Sequence, residues 1–439
     1  MKENKYSLFT TIGMIVGIVI GSGIFFKSDN ILVATNGSIS LGVLIFCIAA
    51  ISIIFGSLSI AELASRTDKT GGMIAYAEDY CNNSIACAFG WFFSMLYYPT
   101  LISVVAWVSG IYICQLFSIN ASLGLQIIIG LIILLLIYLV NVLSVKLGGY
   151  IQNAATIIKI IPLVFIAIAG LIYGDPSSFV VSDVTHMTSL GWLTAIAPIA
   201  FAFDGWTVAT SISHEIKNPK KNLPIALIVA PIFILAIYIA YFIGISIYVG
   251  PENVIALGDG HVAYAATKLL GNFGAKIILI FVNISVLGTL NGLVLGSIRM
   301  PYSLGIRGMF PKSEKFSTIN EKYGLNLASA FFSVLIALAW LVIHYITQKF
   351  NILPNSDISE IAVIFSYVIY IILYIQVFRL SLKGEIKGIW KGKINPILAI
   401  IGSVIVLLGS IGGKFLILYA LIFISLVTAS MIFWKKKKR

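Results

Sequence analysis

Charge is what this sequence has least of. Asp, Glu, Lys and Arg together make up 10% of its 439 residues, against about 25% in soluble domains. Hydrophobic residues reach 59%, and the mean hydropathy is +1.02. A water-soluble globule cannot hide that much apolar surface, so a soluble enzyme or binding module is excluded and the chain reads as an all-α polytopic membrane protein. Cysteine is sparse as well. Cys47, Cys81, Cys87 and Cys114 have no metal-ligand spacing and fall mostly in apolar stretches, so free thiols are expected rather than a zinc site. The four histidines, His186, His214, His261 and His344, are scattered. No His-Glu-x-x-His, nucleophile elbow or phosphate-binding loop occurs. Neither an embedded enzyme nor a bound metal or cofactor is expected.

What the sequence has instead is apolar length. A spanning helix needs about 20 mostly apolar residues. Twelve stretches meet that need, at 8–34, 39–64, 84–116, 123–145, 148–173, 191–214, 223–249, 272–304, 325–347, 357–380, 394–412 and 414–434. The first is preceded only by Lys2 and Lys5 and followed by no small-residue cleavage site, so it is expected to be a retained span with the mature chain starting near Met1. The net charge of +12 is unevenly placed. In the twelve-span frame one side carries Lys217, Lys220, Lys221, Arg307, Lys312, Lys315, Lys322, Arg379, Lys383, Lys387, Lys391, Lys393 and the tail 435–439. The other carries only Lys27, Lys268, Lys276, Lys349 and Lys414. Positive residues collect on the cytoplasmic side, so both termini are expected in the cytoplasm of a cell-membrane protein. No nucleic acid partner is expected, and the basic tail is expected to hold to anionic headgroups of the bilayer.

Within this frame the first span is interrupted. Gly21-Ser22-Gly23 weakens the helix near its middle, and unwound backbone at membrane depth survives only where protein or a polar cavity satisfies it. The N–H groups of Gly21, Ser22 and Gly23 would stand at the positive end of the following half-helix, where a carboxylate binds well. Close helix packing through small residues is the alternative use of the same sequence. The sixth span repeats the pattern, with Pro198 and Gly205 weakening the helix and Asp204 near its midpoint. Asp204 reads either as a cap for the half-helix that follows it or as a substrate or proton ligand. Lys159 falls near the middle of the fifth span, where an ionisable group is a functional candidate that needs a partner; carbonyls freed by the broken first span would supply one. In the eighth span Ser285 and Thr289 share a helix face at similar depth, either bonding back to their own helix or facing Lys159. Tyr238 and Tyr241 of the seventh span are candidates for a cavity wall. The dense aromatics Trp91, Tyr97, Tyr98 and Trp107 of the third span read as packing and interfacial anchors. The turn Arg66 to Gly72 reads as structural, and Arg299 as an inner gate or snorkelling anchor.

Interrupted apolar segments at corresponding places in two halves point to a secondary transporter built from inverted repeats. Five spans per unit force the two units into opposite topology. The expected organisation is a first repeat at 1–173, a second at 191–380, two further spans at 394–434 and a basic tail at 435–439.

The run Gly21-Ser22-Gly23-Ile24-Phe25, the pair Lys159 and Pro162, Phe201-Ala202-Phe203-Asp204-Gly205-Trp206, Glu215-x-x-Asn218-Pro219-x-x-Asn222-Leu223-Pro224, and Asn291-Gly292 with Arg299 resemble the amino acid–polyamine–organocation superfamily over essentially the whole chain. Within it the sequence is similar to the L-amino acid transporter branch, and most like bacterial alanine-serine-cysteine exchangers. The resemblance implies a five-plus-five inverted-repeat fold with twelve helices, of which helices 1 and 6 are broken. It implies a substrate carboxylate on the amides of Gly21, Ser22 and Gly23, and an ammonium on carbonyls around Val19, Ile20 and Phe201 to Asp204, including Ala202 and Phe203. Phe201 would act as a lid, Trp206 and Tyr241 would shape the pocket, and Lys159 with Ser285 and Thr289 would occupy the place where sodium-coupled relatives hold their ion. The implied activity is sodium-independent antiport of small neutral L-amino acids. The alternatives are a proton- or sodium-coupled symporter of the same fold and, more remotely, a transporter-like nutrient sensor. The segment Leu116 to Gly124 lacks the cysteine through which heteromeric animal members link a heavy chain, so no obligate disulfide-linked subunit is expected.

Overall fold

The computed structural model describes residues 6–67, 69–179, 196–211, 216–353, 356–410 and 415–437. In chain order the first half contains α1 (Leu8–Val19), α2 (Ser22–Ala34), α3 (Ile39–Ala64), α4 (Met73–Tyr80), α5 (Asn83–Phe92), α6 (Tyr98–Leu116), α7 (Leu123–Leu143) and α8 (Val145–Tyr173). The second half contains α9 (Ile196–Ala202), α10 (Val208–Ser211), α11 (Pro219–Val249), α12 (Pro251–Leu257), α13 (His261–Gly305), α14 (Ser313–Phe316), α15 (Leu327–Lys349) and α16 (Ser359–Leu382). Helices α17 (Asn395–Gly409) and α18 (Leu416–Lys437) follow. Among the described residues no β-strand is present, and 11 stretches are long and apolar enough to cross a membrane.

The helices form for the reason lipid imposes: hydrocarbon offers no hydrogen bonds, so each backbone N–H and C=O must be satisfied within the segment. Starts are marked by short polar caps. Ser38 accepts from the Leu41 amide at 3.2 Å, Asn82 from Ile85 at 2.9 Å and Asn326 from Ser329 at 2.6 Å, each relieving one orphan donor of a first turn.

Two spans carry a local irregularity. Helix α13 starts at His261, but the backbone leaves helical geometry at Gly271 (φ 67°), so the apolar part begins at residue 272, where the eighth span was expected to start. That kink divides a leading segment from the apolar part. The third span is one stretch from Asn83 to Leu116, but its turn at Phe93–Tyr97 is a π-turn between α5 and α6. Such turns re-aim the side chains around them. The expected sixth span runs partly over 191–195 and 212–214, which lie outside the described residues, as do His186, Lys414 and the last two residues of the basic tail; its described part is α9 and α10 with a turn at 203–207 between them.

Packing places the interrupted helices at the centre. Helix α1 lies against α8, α11 and α13, α2 lies against α9, and α3 against α11 and α17. Helices α7 and α18 are peripheral, with only 17% and 11% of their apolar windows buried inside the protein. Their exposed leucines and isoleucines therefore face lipid rather than core.

Candidate functional site

The break in the first span falls at Ile20 and Gly21. Ile20 is extended (φ −70°, ψ 100°), and Ser22 and Gly23 already belong to α2, which starts without a side-chain cap. The break in the sixth span is the turn at 203–207, where Gly205 has φ +98°. The two breaks touch. A Cβ on Gly23 would lie 2.6 Å from Ala202 Cα, and one on Gly205 would lie 2.8 Å from Ile18 Cγ2. Glycine is required at Gly23 for this approach, and at Gly205 for both the approach and the left-handed backbone.

Breaking α1 frees carbonyls that a continuous helix would use, and three elements reach in to satisfy them. From α8, the Lys159 ammonium donates to the Gly17 carbonyl and lies 3.4 Å from Thr289 Oγ1. One turn earlier Thr156 donates to the Gly13 carbonyl at 3.0 Å, so one face of α8 reads two carbonyls four residues apart. Lys159 is fully buried, and Gly288 leaves it room: a Cβ there would sit 3.3 Å from Nζ. From α13, Thr289 Oγ1 is 3.2 Å from the Ile18 carbonyl and 3.4 Å from that of Ile20. From α11, the Tyr238 hydroxyl lies 3.0 Å from the Val19 carbonyl and 2.8 Å from the Ala202 carbonyl. One hydroxyl thus ties the C-terminal ends of both half-helices together.

The second break carries an acid. Asp204 Oδ2 is buried and has no hydrogen-bond partner, and the Tyr97 hydroxyl close to it has none either. Trp206 is buried with its ring 5.5 Å from that of Tyr370, while the Tyr370 hydroxyl is 3.3 Å from Thr207 Oγ1. Phe203 packs on Tyr238 at 5.0 Å and on Phe46 at 6.4 Å.

The structure therefore brings together Val19, Ile20, Gly21, Gly23, Ala202, Lys159 and Thr289, with Phe203, Asp204 and Trp206 along the second break. It separates the two tyrosines named as wall candidates. Tyr241 packs edge-on to Phe25 at 5.5 Å, and its hydroxyl is buried without a partner. Ser285 is buried with its hydroxyl unpaired and is not joined to Lys159. Thr289 does not bond back to its own helix; it crosses to α1. The side chains of Ser22 and Phe201 lie outside the described set.

Two residues carry more than sequence reasoning assigned to them. Tyr238 was a wall candidate only, although carbonyls freed by a broken helix need donors and a mid-span hydroxyl can supply one. Tyr97 was read as packing; it ends the π-turn and lies close to Asp204.

At the end of the bundle where basic residues gather, the turn before α4 is clamped. Arg307 Nε donates to Glu78 Oε2 at 2.7 Å and its Nη1 to Ser303 Oγ at 2.9 Å, while Nη2 meets the Thr70 carbonyl. Lys69 pairs with Glu78 at 3.2 Å and Asp79 at 2.7 Å. Burial pushes the Glu78 carboxyl up, but Arg307 and Lys69 outweigh it and hold it below its ordinary value. The turn expected to be merely structural thus links α4 to the end of α13. Arg299 donates to the Leu295 carbonyl of its own helix at 2.7 Å.

Backbone amides at one half-helix start, carbonyls at two half-helix ends, and one buried ammonium make a site suited to a small zwitterion rather than to bond-making chemistry. Comparison with known proteins agrees in kind. The amino acid permease family profile matches residues 6–437. A serine/threonine exchanger of Bacillus subtilis is 30% identical over 410 residues, covering 92% of this chain and 90% of the relative. A human b(0,+)-type amino acid transporter 1 is 27% identical over 424 residues, covering 94% and 83%. A human cystine/glutamate transporter is 26% identical over 321 residues, covering 71% and 62%. A profile match over nearly the full length, on a many-span helical bundle with paired helix breaks, places this chain in the amino acid permease family of the amino acid–polyamine–organocation superfamily, a family of transporters and not of enzymes.

Proposed function

We propose that the protein is a sodium-independent antiporter that exchanges small neutral L-amino acids across the cell membrane by alternating access, with both termini in the cytoplasm. The observation that carries this reading is the contact of the two breaks, Gly23 on Ala202 and Ile18 on Gly205. It sets the amides at the start of α2 beside the carbonyls that end α1 and α9. A carboxylate on the amides of Gly21, Ser22 and Gly23 and an ammonium on carbonyls of Val19, Ile20 and Ala202 would span that gap. Phe201, Phe203, Asp204, Trp206 and Tyr241 would bound the side-chain pocket. The similarity to a serine/threonine exchanger of Bacillus subtilis supports small substrates.

Independence from sodium rests on Lys159. Its Nζ lies on the Gly17 carbonyl beside Thr289, so the lysine nitrogen already fills a cluster of oxygens that would otherwise suit a cation. The two repeats, 1–173 and 191–380, would rock against one another about this point, with 394–434 outside them. No disulfide-linked subunit is required by this reading, and the substrate and the bilayer are its only partners.

The test is counterflow in liposomes. Uptake of labelled serine or alanine is expected to need unlabelled amino acid inside, and to be unchanged when sodium is replaced. A second reading, proton-coupled symport, is favoured by the unpartnered carboxylate oxygen of Asp204. Uptake into vesicles without internal amino acid, driven by a pH gradient and lost in Asp204→Asn, would replace the first reading with the second.

A further inference from the structure

At the end of the bundle that carries the basic tail, a cavity of about 850 Å³ opens between the start of α5 and the end of α18. Asn82, Asn83 and Ser84 form one wall, and Ile432, Trp434, Lys435 and Lys436 form the other. No acidic residue lines it. Among the described residues neither Lys435 nor Lys436 makes an ion pair or a hydrogen bond. The next lysine behaves differently. Lys437 Nζ donates to the Gly308 carbonyl at 2.8 Å and lies 3.3 Å from Ser313 Oγ. Three consecutive lysines are thus divided between one that fastens the tail to the protein and two left at a cavity with no counter-charge.

The surroundings define the occupant. The positive end of α5 adds to the field of the two ammonium groups, and the Asn83 and Ser84 side chains supply neutral polar atoms. Trp434 at the rim is the residue type that settles at headgroup level. Leading up to the mouth, Ile417, Leu421, Ile424 and Ile432 of α18 stand exposed on a helix that faces lipid. A ligand that uses all of these surfaces has a negatively charged, hydrogen-bonding head joined to apolar chains. The volume lies within the range of about 300–1,000 Å³ found for small-ligand sites.

We propose that this cavity binds the headgroup of an anionic phospholipid, with the phosphodiester on Lys435 and Lys436, the polar head against Asn83 and Ser84, and the acyl chains along α18. The lipid would lock the end of α18 to the start of α5, independently of which amino acid is carried and of how transport is coupled.

The test uses the full-length protein in neutral detergent, where no charged surface is present, and reads the thermal midpoint and native mass spectra as lipid is added. Phosphatidylglycerol is expected to raise the midpoint and remain bound, and phosphatidylcholine to do neither. In Lys435→Gln/Lys436→Gln the apparent affinity for phosphatidylglycerol is expected to fall about thirtyfold, roughly fivefold per lysine. Lys438→Gln/Arg439→Gln, which removes the same charge at the last two positions of the tail, is expected to change it less than about threefold. Asn83→Glu keeps every lysine and is expected to lose the lipid effect, so the proposal stays testable if the double lysine variant does not fold. Equal losses in the two charge-removal variants would mean diffuse attraction by the tail and overturn the site. Equal stabilisation by phosphatidylcholine would overturn it too, and equal stabilisation by glycerol phosphate or inorganic phosphate would reject the lipid as its occupant.

Discussion

Replacing Tyr238 by Phe isolates the bond that ties the two breaks. The substitution removes one oxygen and keeps the ring that packs on Phe203 at 5.0 Å and Phe46 at 6.4 Å. It withdraws a donor from the carbonyls of Val19 and Ala202, 3.0 and 2.8 Å away. A single O–H shares its proton between two acceptors, so the loss is that of one divided hydrogen bond rather than two full ones. Net hydrogen bonds contribute about 0.5–1.5 kcal/mol, and leaving a buried acceptor bare costs about 1–3 kcal/mol. Within membrane proteins measured side-chain bonds average about 0.6 and reach about 1.7 kcal/mol. Tyr238→Phe is therefore expected to destabilise the protein by about 1–2 kcal/mol and to slow exchange, because the ends of α1 and α9 are no longer held in register. Tyr241→Phe is the internal control. Its hydroxyl has no partner and its ring keeps the contact with Phe25, so its effect is expected to stay within about 0.5 kcal/mol. Equilibrium unfolding in mixed micelles, followed by tryptophan fluorescence, measures both, and liposome counterflow reads the transport effect. If the two variants cost the same, or Tyr238→Phe costs nothing, the account of how the broken ends are satisfied is wrong.

Gly23→Leu forces a side chain into Ala202, where a Cβ alone would come within 2.6 Å of the backbone; exchange is expected to disappear while a folded monomer persists by size-exclusion chromatography, and normal uptake would remove Gly23 from the site. Gly205→Ala strains a backbone at φ +98° and meets Ile18 at 2.8 Å, so a loss of about 1–3 kcal/mol is expected in unfolding experiments. Lys159→Met keeps an unbranched side chain one atom shorter and leaves the Gly17 carbonyl without its donor; exchange in liposomes is expected to fall at least about tenfold, and undiminished exchange would deny the Lys159 nitrogen its place in the site. Glu78 has a folded-state pKa held below its ordinary value, so its stabilisation is present at neutral pH and is lost as pH falls through that lowered pKa. Glu78→Gln is expected to lower stability at pH 7 by about 1 kcal/mol or less, since the group is partly solvated, and the difference from the parent is expected to close as pH falls through that lowered pKa.

The sequence by itself determined the class of this protein, most of its spans and the place where its helices break. Hydrophobic length is a one-dimensional property, and lipid leaves a long apolar segment no option but a self-satisfied helix. The glycines at 21, 23 and 205 mark the breaks for an equally local reason, since helix propensity is a property of the residue itself. What the sequence left open was which neighbour answers each freed carbonyl. That choice fell to residues far apart in the chain: Lys159 for Gly17, Thr289 for Ile18 and Ile20, and Tyr238 rather than Tyr241 for Val19 and Ala202. Tyr238 and Tyr241 are less than one turn apart on α11, and nothing in their local sequence distinguishes them. Only the rotation of α11 against α1 and α9 decides which hydroxyl meets a carbonyl and which is left unpartnered. The approach of Tyr97 to Asp204, the clamp of Arg307 on Glu78 and the division of labour among Lys435, Lys436 and Lys437 were settled in the same way. Each depends on how helices distant in sequence pack, a matter of three-dimensional register that composition, spacing and periodicity do not encode.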